Sequence, residues 1–289
     1  MPNVRIVTDS AAQFLDPDFV SNHNVKVVPL LIAFDGQSAL PDVDLDNRQF
    51  ITRLATGEIP PLVSAPSRKE FVASYEEIAT NSTQLLSIHS SAELTDTVQN
   101  ARQAADDLMG KIETIVMDSR TTSIGLGTLV EELAIAAESG APLSELARIA
   151  HGLIPRMYGV FYVETLDYLE YTGRVGPAQS TLGKMLGIKP VLALEDGEII
   201  PMEKVRTRAQ GIEKLIEFVT EFTELERLTV LHSHPNGDSE TRLLLDRLST
   251  EFPDVVCPTV LFSPVLATQI GPHGLGVIIF DSKASEADL

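Results

Sequence analysis

Short β-branched runs alternate with stretches of helical period through the first half of the chain. Val4 to Val7 reads as a strand, and Val25 to Phe34 as a second, interrupted at Pro29, which has no N–H to give a ladder. Gln84 to His89 and Ile112 to Met117 read as two more. Between them the apolar spacing predicts helices near 45–55, 67–80, 96–109 and 121–138. The second of these shows its start most clearly. Ser67 and Glu70 stand at capping-box spacing, and Phe71, Tyr75 and Ile78 form one apolar face. Strands and helices in this rhythm imply a parallel sheet with helices on both sides.

The pattern changes after a helix at about 143–157. Tyr158 to Val163 reads as a strand, and 172–184 is rich in Gly, Ser and Thr. Ile188 to Leu194 and the run from Ile199 flank Glu195-Asp196-Gly197-Glu198, a hairpin with Asp-Gly at its turn. A helix follows with Ile212, Leu215, Ile216, Val219 and Phe222 on one face, and strands near 228–232 and 255–261 bracket a helix at 239–250. Gly274 to Phe280 closes the series as a strand. The fold class is therefore α/β: an N-terminal parallel sheet flanked by helices, plus a smaller C-terminal α/β domain with a mixed sheet. The boundary is expected near 157, giving domains of 1–157 and 158–289, with the strand-exit hydroxyls described below in the first.

Composition changes the list of partners. Lys plus Arg number 22 and Asp plus Glu 41, a net charge of −19 that repels phosphate backbones and anionic membrane surfaces. No nucleic-acid partner is expected; the charge serves as a solvated surface or faces a basic protein. Trp is absent and aromatics make up 6%, so an apolar ligand would meet Leu, Ile, Val and Met more often than rings. The single cysteine, Cys257, excludes an internal disulfide and reads as a buried, inert thiol. The opening MPNVRIVTDS has neither the basic nor the apolar region of a signal peptide, and no apolar run approaches the roughly 18 residues of a span. A cytoplasmic protein with no stable membrane insertion is expected.

Ligands of open α/β sheets bind beyond the C-terminal ends of the strands. Four junctions there carry clustered hydroxyls: Thr8-Asp9-Ser10, Ser64-Ala65-Pro66-Ser67, the run from Ser90 to Thr97, and Asp118 to Ser123. Hydroxyls and free N–H groups at helix starts suit a carboxylate or phosphate, although the same residues are ordinary helix caps. A Walker loop, a GxSxG elbow and a dinucleotide fingerprint are absent. No histidine stands in sequence where it would activate these serines, and a bare hydroxyl is a weak nucleophile. His89 at a strand end reads as a satisfied core or edge residue. His232 and His234 alternate on one strand face, but a third ligand is not evident, so no metal is assigned. His273 lies in a turn and stays a mild candidate.

At these junctions the chain resembles the DegV family of bacterial fatty-acid-binding proteins, from about Val4 to Phe280. VTDSAA (7–12), VSAPS (63–67), SIHSSAELTDTVQNA (87–101) and MDSRTTSIGLG (117–127) follow its successive strand exits. ETLDYLEYTGRV (164–175), GIKPVLALEDGEIIPMEKVRT (187–207) and LATQIGPHGLGV (266–277) follow its later segments. The resemblance implies a long-chain fatty acid such as hexadecanoate as ligand, its acyl chain in an apolar tunnel and its carboxylate held by Ser/Thr hydroxyls. It implies no other cofactor, no catalysis by this chain, and presentation of the acid to a separate fatty-acid kinase. The family's Thr and Ser head-group contacts fall at Val63 and Thr95, and its C-terminal His at Gln269. With the neighbouring hydroxyls, the expected fatty-acid-binding set is Val63, Ser64, Ser91, Thr95 and Gln269, and Arg174 is a candidate for the portal or partner surface. Val63 offers only its backbone N–H, with Ser64 beside it to compensate. Gln269 can hydrogen-bond but not carry charge, and Asp96 adds like-charge repulsion where the family has Gly. Two alternatives stay open: a hydrolase or phosphotransferase using the same cleft, and a DegV-like interaction module that has lost lipid binding.

Overall fold

The computed structural model describes residues 4–34, 37–57, 59–173, 187–234 and 238–282. Strands β1 (Val4–Asp9), β2 (Lys26–Val28), β6 (Gln84–His89) and β7 (Glu113–Asp118) form a parallel sheet in the order β2-β1-β6-β7. Alternate residues of these strands face opposite layers. Val7 and Leu85 meet Phe71, Tyr75 and Ile78 of α3 (Arg68–Ala79) and Ala101 and Ala104 of α4 (Thr97–Asp107). Val4, Ile6, Leu86 and Ile88 meet Leu126, Leu129 and Leu133 of α5 (Ser123–Glu138) and Leu146 of α6 (Leu143–Leu153). Helix α3 starts at the expected capping box, with the Ser67 side chain on the Glu70 N–H and the Glu70 side chain on the Ser67 N–H.

The run from Val25 to Phe34 is two strands in two sheets. After β2, Pro29 ends the parallel ladder, and β3 (Leu31–Ala33) turns into a small antiparallel sheet between β4 (Leu40–Pro41) and β5 (Leu62–Ser64). Helices α1 (Phe19–Asn22) and α2 (Asn47–Thr56) complete this half.

The later strands build a six-stranded mixed sheet, the wider of the two large sheets, in the order β10-β9-β8-β13-β11-β12. These are β8 (Met157–Tyr162), β9 (Lys189–Glu195), β10 (Glu198–Val205), β11 (Leu225–His232), β12 (Thr259–Leu261) and β13 (Leu275–Asp281). Only β11 and β12 run parallel. One face is covered by α8 (Arg208–Thr220) and α9 (Ser239–Glu251), which pack Ile212, Leu215, Val219, Leu244 and Leu248 against Val160, Tyr162, Val230 and Val277. The other face, with Phe161, Leu192, Leu231 and Ile278, joins a core shared with the first half through Leu30, Ile32, Phe50, Leu54 and Leu94. Two short helices finish that core, α7 (Asp167–Thr172) and α10 (Pro264–Ile270), and every residue of α10 is buried. No described helix is long and apolar enough to cross a membrane.

The β9–β10 hairpin turns at Asp196 (φ 50°) and Gly197 (φ 89°), both left-handed as an Asp-Gly turn requires. It docks on the first half: Ser91 Oγ donates to the Gly197 carbonyl at 2.7 Å, and Arg120 pairs with Asp196 at 2.8 Å. A Cβ on Gly197 would lie 2.4 Å from Ser91 Oγ. Gly197→Ala is therefore expected to lose about 1–2 kcal/mol to backbone strain, plus the Ser91 contact. Urea denaturation checks this; an unchanged midpoint would mean the turn is not held in this form.

Candidate functional site

Four separate segments converge on one cleft of about 310 Å³. The small sheet supplies Leu62, Val63, Ser64 and Ala65; the approach to α4 supplies Leu94, Thr95, Asp96 and Asn100; Thr172 ends α7, and Gln269 comes from α10. Leu94 belongs to the core shared between the halves, and Val63 packs against it, so the cleft's apolar wall is continuous with that core. Thr95 and Gln269 are buried, whereas Ser64 and Asp96 are exposed at the mouth. Of the five residues expected in a fatty-acid site, Val63, Ser64, Thr95 and Gln269 thus line the same cavity.

Ser91 lies elsewhere. Its hydroxyl is buried, donates to the Gly197 carbonyl and accepts the Glu93 N–H at 3.2 Å. It joins the hairpin to the first half and does not line the cleft.

Behind Thr95 runs a chain of buried polar groups that reading the sequence alone misses. Asp9 is wholly buried; its Oδ1 accepts the Ala11 N–H at 3.0 Å. Its Oδ2 accepts the Ser90 N–H at 2.8 Å and the Ser90 hydroxyl at 3.2 Å, and lies 3.2 Å from His89 Nδ1. Nδ1 donates to that carboxylate, Nε2 lies 2.6 Å from Ser87 Oγ, and Ser87 Oγ lies 2.7 Å from the Tyr75 hydroxyl. Burial holds the Tyr75 hydroxyl above its ordinary range. Ser90 then touches Thr95 at 3.3 Å, and Thr95 donates to Thr97 at 2.8 Å. His89 is the satisfied core residue that its place at a strand end suggests, and it grips Asp9 of the first junction across two parallel strands. The Asp9–His89–Ser87 order has the connectivity of a hydrolytic triad, but all three side chains have no exposed surface. A substrate cannot reach Ser87, so the set positions neighbours and does not attack.

Asp42 sits at the edge of this network, accepting from Ser10, whose hydroxyl in turn takes the Leu30 N–H at 2.8 Å. Burial first, and the nearby Asp9 charge second, push its carboxyl from 3.8 up to about 6, against the Ser10 hydrogen bond. A folded value above the unfolded one means the folded state binds the extra proton, so this group adds stability as pH falls from about 6 to about 4. Asp42→Asn should cancel that gain: relative to wild type the variant should lose roughly 2 kcal/mol between about pH 7 and pH 4. Denaturation at both pH values tests it, and a pH-independent difference would refute it.

A family model described as "Uncharacterised protein, DegV family" matches residues 3–282. The chain belongs to the DegV family. A DegV domain-containing protein of Halalkalibacterium halodurans is 31% identical over 285 residues, 98% of this chain and 100% of that protein. The solved structure of DegV from Bacillus subtilis, a fatty acid binding protein, is 26% identical, with a TM-score of 0.85 over 97% of this chain and 100% of that one. A DegV family protein from Thermus thermophilus, solved in a study of its fatty acid binding, is 27% identical, with a TM-score of 0.84 over 96% and 99%. The parallel sheet flanked by helices and the mixed sheet are thus the family's architecture.

Within this DegV protein the remaining candidates separate. Arg174 lies outside the described residues. His232 Nδ1 is 3.0 Å from the His234 carbonyl, and burial pushes the His232 ring below its usual value. Among the described residues no three His, Cys, Asp or Glu side chains gather as a metal site. Burial pushes the half-buried Cys257 thiol up to about 11, which keeps it protonated and unreactive at neutral pH.

Proposed function

We propose that this DegV protein binds a long-chain fatty acid at the cleft and presents it to a fatty-acid kinase, without transforming it. The observation that carries the reading is the meeting of Val63, Ser64, Thr95 and Gln269 beside an apolar wall that continues into the shared core. The fatty-acid-binding relatives of the same fold add support. In this reading the head group lies among Ser64, Thr95 and Gln269, and the acyl chain runs from Leu94 toward the core between the halves. The junctions belong to 1–157, and Gln269 reaches them from 158–289.

The division of labour follows from magnitudes. Each buried CH₂ contributes about 0.8 kcal/mol, so affinity comes from the chain. The head contributes position, because a buried polar group must be hydrogen-bonded to be tolerated at all. Native mass spectrometry and lipid extraction of the expressed protein should find a C16–C18 class acyl ligand bound one to one. Thr95→Ala should keep the tail contacts and weaken palmitate binding by about fivefold, the worth of one hydrogen bond. Protein that carries no lipid and takes up none would sink the reading; unchanged affinity in the variant would sink the role of Thr95.

A further inference from the structure

Ser91 stands outside the cleft yet holds the turn that lines it. Its carbonyl accepts the N–H groups of Leu94 at 3.0 Å and Thr95 at 3.1 Å, and its hydroxyl accepts the Glu93 N–H at 3.2 Å. The turn over 92–94 is therefore closed on this residue, and its far end presents Leu94 and Thr95 to the cleft. At its base the turn is anchored to the first half, where the Ser91 N–H donates to the Thr121 carbonyl at 2.9 Å.

The second anchor comes from the other half. The Ser91 hydroxyl has one proton, and it goes to the Gly197 carbonyl at the tip of the β9–β10 hairpin, 2.7 Å away and 106 positions later in the chain. Ser91 is wholly buried there, and a Cβ on Gly197 would lie 2.4 Å from its Oγ, so the contact has no slack. The tip is a firm element, because β9 and β10 pair from Glu195 and Glu198 onward and β9 is bonded to β8 behind it. A shift of the hairpin against the first half thus reaches Leu94 and Thr95 through one hydroxyl. The Thr95 side chain has its own tie, Ser90 Oγ, which donates to Asp9 and lies 3.3 Å from Thr95 Oγ1. Hydrogen bonds weaken steeply with distance and angle, so a head group held by Thr95 is sensitive to where this turn stands.

We infer that Ser91 and Gly197 are positioning residues for the lipid cleft: the docked hairpin tip sets the place of Leu94 and Thr95, and an occupied cleft holds the tip down in return. The second half follows from the first, because a coupling between two sites is reciprocal. The inference deepens the lipid-binding reading above and rests on it.

The test uses delipidated full-length protein with palmitate as the probe. In wild type, saturating palmitate should slow hydrogen exchange at the hairpin tip, over 195–198, by about fivefold, although the tip does not line the cleft. Ser91→Ala and Gly197→Ala should each weaken palmitate by about fivefold, the worth of one hydrogen bond, and in either variant palmitate should no longer protect the tip. Both changes break the same contact from opposite halves, so the double variant should bind no more weakly than the weaker single one. Two independent losses would instead multiply to about 25-fold, and that result overturns the inference. Wild-type affinity in both single variants overturns it too, as does a wild-type tip whose exchange ignores bound palmitate; the fatty-acid reading then still stands. Wild type that takes up no palmitate overturns both. The exchange measurement needs no variant, and Gly197→Ala reaches the contact from the other side if Ser91→Ala fails to fold.

Discussion

Asp9→Ala is expected to remove roughly 3–5 kcal/mol of folding stability, the usual cost of deleting one partner of a buried charged contact. Typical domains hold about 5–15 kcal/mol in total, so much of the protein would be unfolded or close to it. The physical reason is the number of donors that depend on one carboxylate. The N–H groups of Ala11 and Ser90, the Ser90 hydroxyl and His89 Nδ1 all converge on Asp9, and none of them has access to water. Alanine would leave each unmade in the same low-dielectric interior. Asp9→Asn is the informative contrast. It keeps the volume but turns one oxygen into an NH₂ that must face either Ala11 N–H or the three donors on the other side. It should therefore still cost about 1–3 kcal/mol. Urea denaturation followed by circular dichroism reads both; a wild-type midpoint for Asp9→Ala would show that the network is not a keystone of the first half.

This network also marks the limit of what the chain reveals before it is folded. β1, β6, β7, α3 and α5 are legible because each is long enough to show its period, and the capping box and the Asp196-Gly197 turn are local chemistry. Helix α10 is not, because a seven-residue helix buried on every side has no polar face to set a period. β5 is three residues long with two of them exposed, so it shows no strand pattern either. The site divides in the same way. Ser64 and Thr95 belong to hydroxyl-rich runs that the sequence displays, and Val63 and Gln269 are reached only through the order of motifs shared with the family. Ser91 looks equivalent to Thr95 in sequence, yet its partner is a carbonyl 106 residues away. His89 and Asp9 are 80 residues apart and meet only because β1 and β6 are neighbours in a parallel sheet. Hydroxyls can be counted from a sequence; the partners that take their protons cannot.

Adding palmitate to delipidated protein should raise its melting temperature in proportion to the logarithm of free ligand, since the acyl chain has a binding site only in the folded state. Each tenfold excess over Kd contributes about 1.4 kcal/mol, and a thousandfold excess about 4 kcal/mol. For a chain of this size that corresponds to a rise of roughly 10 °C, at about 2–4 °C per kcal/mol. The source of the effect is the apolar wall, so it should survive changes at the head and fail on changes to the wall. Thr95→Ala should shift the titration curve only slightly. Leu94→Asp should abolish the response, because Leu94 lines the cleft and is part of the shared core, and a carboxylate there would meet the acyl chain in place of hydrocarbon. Leu94→Ala separates lost binding from lost folding: it keeps the wall apolar and costs about 2–5 kcal/mol of stability, yet it should still respond to palmitate. A ligand response that is equal in Leu94→Asp and wild type would place the acyl chain away from this wall and remove the physical basis of the proposed site.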